Sequence, residues 1–405
     1  MLFGHRHLPP LHPNPRPTSE CPCYNILFHV ADCCCLVVFF FLDRLSFQPD
    51  HNIHVSLIGR SNYAALAKDG VQLHTHTFGD YVFHPHAVYP SANAAGGVAS
   101  GGAGSSSDAV PPPPPGGWDF VVVTTKALPD RVDDSGTIAP LVGPKSTLVL
   151  IQNGVGVEAP YRARFPDTPI ISGVTVVSAE QIKPGVIRQN RWTRLHIGPY
   201  TSSAESSSSS SSTSPLSSSS SPPSVQIDEN SPLTKRGTEA TLQLTDWWTR
   251  LGGIRDIDPL DEVGLQTVRW HKLCINAAFN PSAVLSGGRG NADMASDPEL
   301  RIHLRAVMDE IWAAAPRILG RPFPSDLASP DKILASTDRN KGARPSMLLD
   351  WEAGRPLELE VIVGNPVRIA RARGVELPRM QSLYALLRSS QAVREQTRNK
   401  DKGKL

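Results

Sequence analysis

Asp119-Phe120-Val121-Val122-Val123-Thr124 is apolar from its second to its fifth residue, with no alternation. A strand with one wet face alternates, and a strand covered on both faces does not. The run therefore predicts a strand in a sheet sandwiched between helices. Ser146–Ile151 (S-T-L-V-L-I) repeats the pattern. Upstream, Asn52–Gly59 (N-I-H-V-S-L-I-G) reads as a strand, and Asn25–Val30 can serve as another. Downstream, Pro169–Ser178 and Gly185–Gly198 read as strands around a Pro184-Gly185 turn. Strands alternating with short helical stretches make an open α/β sheet.

Beyond Glu239 the period changes. Ala240–Leu251, Asp261–Ser286, Asp297–Leu319 and Asn365–Arg388 place apolar residues at helical spacing. Between the halves, Thr201–Ser224 holds 16 serines in 24 residues and cannot build a core. Ala92–Gly117, with Gly-Gly, Ser-Ser-Ser and Pro111–Pro115, is a second low-complexity break. The chain is thus an α/β half, a flexible insertion and a mostly helical half.

The 405 residues are 40% hydrophobic and carry a net charge of +2, which excludes a wholly disordered chain and a basic field for nucleic acid. Five of six cysteines fall in the first 35 residues, three of them consecutive (Cys33, Cys34, Cys35), leaving only Cys274 downstream. That distribution suits a reducing compartment better than a disulfide framework. Cys21-Pro22-Cys23 lacks a second ligand pair at finger spacing, so no metal is expected. Residues 1–24 read as a disordered head. Asn25–Leu42 is almost wholly apolar, but its strongest run, Cys33–Leu42, has ten residues and is too short to span a bilayer. A buried strand and helix start is favoured over a membrane anchor, and no membrane partner is expected.

Three residues in Trp270–Pro281 (W-H-K-L-C-I-N-A-A-F-N-P) carry the chemistry. Lys272, Asn276 and Asn280 are four apart, so on a helix they form one polar stripe between apolar residues. An ammonium can protonate a carbonyl oxygen, and carboxamides can fix a small polar substrate without adding charge. The same spacing also fits a solvent-facing stripe near a helix end. Asn153, in Gln152-Asn153-Gly154-Val155-Gly156, follows the strand ending at Ile151, where open α/β sheets bind ligands; it also fits an ordinary Asn-Gly turn. Lys126 follows another strand at the same edge. Arg60 ends the strand Asn52–Gly59, a place where a base suits a 2′-phosphate. Ser346 and Glu358 bracket a polar-rich piece that spacing alone reads as a helix start with a solvated acidic face.

Together these pieces resemble the ketopantoate reductase family. The resemblance rests on Arg60, Val122–Ala127, Gln152–Gly156, Lys272–Pro281 (K-L-x-x-N-x-x-x-N-P) and Ser346–Glu358 (S-M-L-x-D-x-x-x-x-R-x-x-E), in order from about Pro49 to Arg388. It implies an α/β fold class: a Rossmann-like dinucleotide-binding domain (residues 25–200) followed by a mostly helical C-terminal domain (240–390). Residues 201–239 would be a linker and 391–405 a charged tail. It further implies reduction of 2-dehydropantoate by NADPH in pantothenate and coenzyme A synthesis, with Lys272 as general acid. Asn153, Asn276, Asn280 and Ser346 would hold the 2-keto acid, the one small-molecule partner. Arg60, Lys126, Asn153, Ala179 and Glu358 would contact NADPH. A cytoplasmic enzyme is expected, with mitochondria the second choice; a homodimer is left open.

One departure from that family concerns the phosphate turn. No glycine occurs between Gly4 and Gly59, and Ala31-Asp32-Cys33-Cys34-Cys35-Leu36 stands where G-x-G-x-x-G would follow the first strand. Side chains there would block the backbone's approach to a pyrophosphate. Either this copy has lost its cofactor turn and acts as a metabolite- or protein-binding module, or an exon-boundary error has replaced residues 1–49.

Overall fold

The computed structural model of the chain describes residues 23–29, 52–98, 111–202 and 230–402. The head up to Pro22, the segment Ala31–Leu36 and most of Asn25–Leu42 lie outside the described residues.

Among the described residues ten strands form one sheet: β1 (Tyr24–His29), β2 (Ile53–Ile58), β3 (Val71–Thr75), β4 (Gly79–Phe83), β5 (Ala87–Tyr89), β6 (Phe120–Val123), β7 (Thr147–Ile151), β8 (Ile170–Lys183), β9 (Val186–Tyr200) and β10 (Ile257–Pro259). Their order is β4-β3-β9-β8-β7-β6-β1-β2-β5, with β10 beside β9. The strands β8-β7-β6-β1-β2-β5 run parallel. Chain connections diverge on either side of β1, which places a crevice at the carboxyl ends of β1, β6 and β7. The unalternating runs are explained by burial on both faces. Phe120 and Val122 join one core with Trp247 and Trp248, whereas Val121 and Val123 join another with Ile138, Leu141 and Tyr161.

The helices α1 (Tyr63–Asp69), α2 (Ala92–Ala95), α3 (Asp134–Thr137) and α4 (Ala159–Arg164) belong to the sheet domain. So does α5 (Pro232–Asp246), which continues through a wide turn at Trp247–Leu251. The domain expected over 240–390 therefore begins later. Leu244, Trp247, Trp248 and Leu251 pack on the sheet, and β10 pairs with β9. The expected linker 201–239 is shorter for the same reason: Ser231 caps α5, and the backbone N–H groups of Thr201 and Ser202 donate to the Glu262 carboxylate.

The helical domain is built on α6 (Glu262–Leu285). Around it lie α7 (Asn291–Ser296), α8 (Pro298–Leu319), α9 (Pro330–Thr337), α10 (Ser346–Glu352), a wide π turn (Glu360–Gly364), α11 (Asn365–Ala372) and α12 (Pro378–Lys402). Asn365–Arg388, read as one helix, is two: Gly374 takes φ 67° and Pro378 restarts the chain. Residues to Lys402 are helical and no separate charged tail. Arg394 stacks on the Trp351 ring at 4.2 Å, and Arg398 donates to the Gly354 carbonyl at 2.8 Å.

The break read over Ala92–Gly117 is also narrower. Ala92 and Ala95 are buried in α2, the Trp118 indole N–H donates to the Ala95 carbonyl at 3.1 Å, and the Tyr89 hydroxyl donates to the Pro112 carbonyl at 3.1 Å. Small residues here pack where composition alone suggests a loop. Replacing 99–110 and 203–229 by short Gly-Ser links should leave the melting temperature unchanged. Removing Ala92–Gly117 should lower it by about 5–10 °C in a thermal melt, through the lost burial around Trp118.

Candidate active site

Asp261 caps α6 by accepting the Gly264 N–H, and the helix then runs buried through the second domain. Arg269 and Lys272 stand three apart on it. Arg269 is 3% exposed. Its Nη1 donates to the carbonyls of Gln152 (3.0 Å) and Gly154 (2.8 Å), and its Nη2 to Ser172 Oγ (2.6 Å). Its Nε lies 3.2 Å from Glu158 Oε1, itself buried. The guanidinium thus fastens the loop after β7 to α6 and fixes Asn153 between them.

Gly154 shows why that loop needs a glycine. It adopts φ 88°, and a Cβ there would meet the Val361 carbonyl oxygen at 2.5 Å. The close approach lets the Val155 N–H donate to that oxygen at 2.8 Å, which sets the loop against the π turn and brings Asn153 to Glu358. Asn153 then bridges two charged groups. Its Oδ1 accepts from Lys272 Nζ at 3.0 Å, and its Nδ2 donates to Glu358 Oε2 at 3.3 Å. Lys272 also donates to the Thr175 carbonyl at 2.6 Å, and Glu358 Oε1 accepts the Ala127 N–H at 3.2 Å. Burial, with the charge of Arg269, lowers the Lys272 pKa to about 8, against the pull of Glu358. Burial raises that of the Glu358 carboxyl.

These groups open onto a cleft of about 970 Å³ between the domains. Lys272, Asn276, Asn153, Ser346, Ala179 and Glu358 all line it. Ala179 lies where the β8–β9 register breaks. Asn280 is 5% exposed and its Oδ1 accepts the Met347 N–H at 3.3 Å, so it seats the start of α10 and thereby Ser346. Eight residues beyond Lys272, the helix has passed under α10, and the contact that Asn280 makes here is with the start of that helix. The Lys126 ammonium pairs with buried Asp350 at 2.5 Å, and Arg355 Nε approaches the same carboxylate at 3.0 Å. Lys126 therefore bridges the domains.

Arg60 is exposed at the end of β2, at φ 39°, a region that side-chain-bearing residues seldom adopt. Burial and the Arg60 charge lower the pKa of His29, the last residue of β1, to about 4. Arg60 follows β2, the strand that pairs with β1. Asn153 and Ala179 line the cleft. These residues fit a nicotinamide dinucleotide. The turn after β1 lies outside the described residues.

Sequence reading missed Arg269, Glu158 and Asp350. Arg269 left a signal: it is a charge in an otherwise apolar stretch, on the same helix face as Lys272. Asp350 and Arg355 stood inside the quoted pattern without a role.

The family model described as ketopantoate reductase PanE/ApbA matches residues 44–202, and its C-terminal counterpart matches 264–391. The chain is 26% identical over 355 residues to the uncharacterized protein YDL144C of Saccharomyces cerevisiae, covering 82% of this chain and 85% of that one. It is 27% identical over 270 residues to a 2-dehydropantoate 2-reductase of Nostoc, covering 67% and 73%. A solved 2-dehydropantoate 2-reductase from Methylococcus capsulatus superposes with a TM-score of 0.67 at 29% identity, covering 91% of this chain and 97% of that one. β1 precedes the matched stretch, yet it fills the slot between β6 and β2.

Arg269→Met would leave the Glu158 carboxylate buried without its partner. The expected cost is about 3–5 kcal/mol in urea unfolding, partly recovered by adding Glu158→Leu. A loss under about 1 kcal/mol would show that the pair does not hold the loop.

Proposed function

The chain belongs to the ketopantoate reductase family, and on that premise we propose that it reduces a 2-keto acid with NADPH, 2-dehydropantoate to pantoate being the reference reaction. The observation that carries this reading is the Lys272 ammonium, held by Asn153 and the Thr175 carbonyl at the cleft floor, with a pKa lowered to about 8. When bound, a reduced nicotinamide supplies the hydride. Everything else falls to the protein's own side chains.

Lys272 holds a proton at Nζ below pH 8 and gives it up easily, because burial disfavours its charge. The proton passes to the keto oxygen as the carbonyl carbon is reduced, leaving a neutral amine and an alcohol. Asn276 and Ser346, from α6 and α10, are placed to receive the substrate carboxylate without adding a second buried charge. Glu358 holds the Asn153 carboxamide, so that its oxygen faces the ammonium. Arg60 suits the 2′-phosphate that separates NADPH from NADH, and pantothenate synthesis and a cytoplasmic setting follow from the reference reaction.

In an active form of the chain, with residues 1–49 exchanged as below, Lys272→Ala should lower kcat by roughly 10²–10⁴, and Lys272→Arg should not restore it, because a guanidinium keeps its proton. The pH profile follows from the direction of the shift. With the pKa lowered to about 8, the acid is present below pH 8, and kcat/KM should fall as pH rises through that value. A limb near pH 10 instead, or near-normal turnover by the Ala variant, would refute the assignment.

The absence of glycine between Gly4 and Gly59 generates a separate expectation about the cofactor. Fluorescence titration should show weak NADPH binding by the chain as it stands. Exchange of residues 1–49 for a strand, a G-x-G-x-x-G turn and a helix should restore binding and reduction. Micromolar binding by the unaltered chain, or none by the exchanged one, would defeat that argument.

A further inference from the structure

Four large apolar side chains remain well exposed within this one cleft: Val176, Trp192, Ile275 and Leu349. They come from three elements. Val176 and Trp192 lie on the β8–β9 hairpin. Ile275 stands on α6 between Lys272 and Asn276, and Leu349 on α10, one turn beyond Ser346. An apolar wall thus faces the same space as the proton donor and the carboxylate-binding groups.

Trp192 is 51% exposed and takes φ 58°, a conformation that a bulky side chain adopts only when its surroundings impose it. Its register explains this. Val177 pairs with Thr193 and Ser178 with Arg191, so Trp192 is left out of the ladder. Such a bulge re-aims a side chain, and here it turns the indole onto the cleft. One residue earlier, Arg191 Nη1 donates to Asn340 Oδ1 at 3.4 Å, joining the hairpin to the helical domain beside the wall.

2-Dehydropantoate carries a short branched tail ending in a hydroxyl, which has little use for an exposed indole. A flat apolar tail would bury Trp192, Val176, Ile275 and Leu349 while its carbonyl stays at Lys272. Resting on the 2-keto acid reductase reading above, we propose that the preferred substrates are 2-oxo acids bearing an aromatic group, with Trp192 as the specificity-determining residue.

The test is calorimetric titration of the full chain with phenylpyruvate, phenylglyoxylate and 2-dehydropantoate, with and without NADP⁺. Wild type, Trp192→Gly, Trp192→Phe and Lys272→Ala are compared, each checked by thermal melt. The glycine variant relieves the backbone strain, and the phenylalanine variant keeps a flat ring. The better aromatic acid should bind about tenfold tighter than 2-dehydropantoate, a difference near 1.4 kcal/mol. Trp192→Gly should erase that ratio and Trp192→Phe should restore most of it. If 2-dehydropantoate binds as tightly as the aromatic acids, or if the ratio survives Trp192→Gly, the inference falls and the reductase reading stands. If no 2-oxo acid binds either wild type or the chain with residues 1–49 exchanged, with or without NADP⁺, both fall.

Discussion

A guanidinium that cannot lose its proton sits inside this protein, and the cleft is arranged to satisfy it. Arg269 is enclosed by the Glu158 carboxylate, the carbonyls of Gln152 and Gly154, and the Ser172 hydroxyl. Burying such a charge is tolerable only when its donors are met. Meeting them draws the ends of β7 and β8 onto α6. Asn153 is carried along by its neighbours' carbonyls, and Lys272, one turn further on, feels the same positive charge. Arg269 therefore both ties the strand ends to α6 and adds to the effect of burial in lowering the Lys272 pKa.

The contacts across the cleft form a closed set. Ala127 and Asn153 of the sheet domain reach Glu358, Lys126 reaches Asp350, and Lys272 of the helical domain reaches back to Thr175. Each joins a group of the sheet domain to one of the helical domain. The domains are thus coupled by polar contacts around the space where chemistry would occur, and by Ala127, Val155 and Val157 of the sheet domain, which join the apolar core of the helical one.

Much of this was legible from residue order. Unalternating Val-rich runs gave the buried strands, and the four-residue spacing of Lys272, Asn276 and Asn280 gave a helix face. Where reading fell short, the reason was physical. Spacing cannot say which element lies over a stripe, so it gave no sign that Asn280 meets the start of α10. Composition cannot distinguish a loose Ala-Gly-Pro stretch from one that packs, and Ala95 and Pro112 pack because Trp118 and Tyr89 require partners there. Trp247 and Trp248 gave no sign that they complete the sheet domain, since a helix on a sheet and a helix in a bundle share one period. Arg269 was overlooked because buried charge is a matter of environment, which the sequence does not state.

The C-terminal helix has a consequence for how the protein comes into being. Arg131, just after β6, pairs with Glu395, 264 residues later, while Arg394 and Arg398 hold the end of α10. During synthesis the piece bearing Ser346 and Asp350 can be clamped only once Arg394, Glu395 and Arg398 of α12 have followed it.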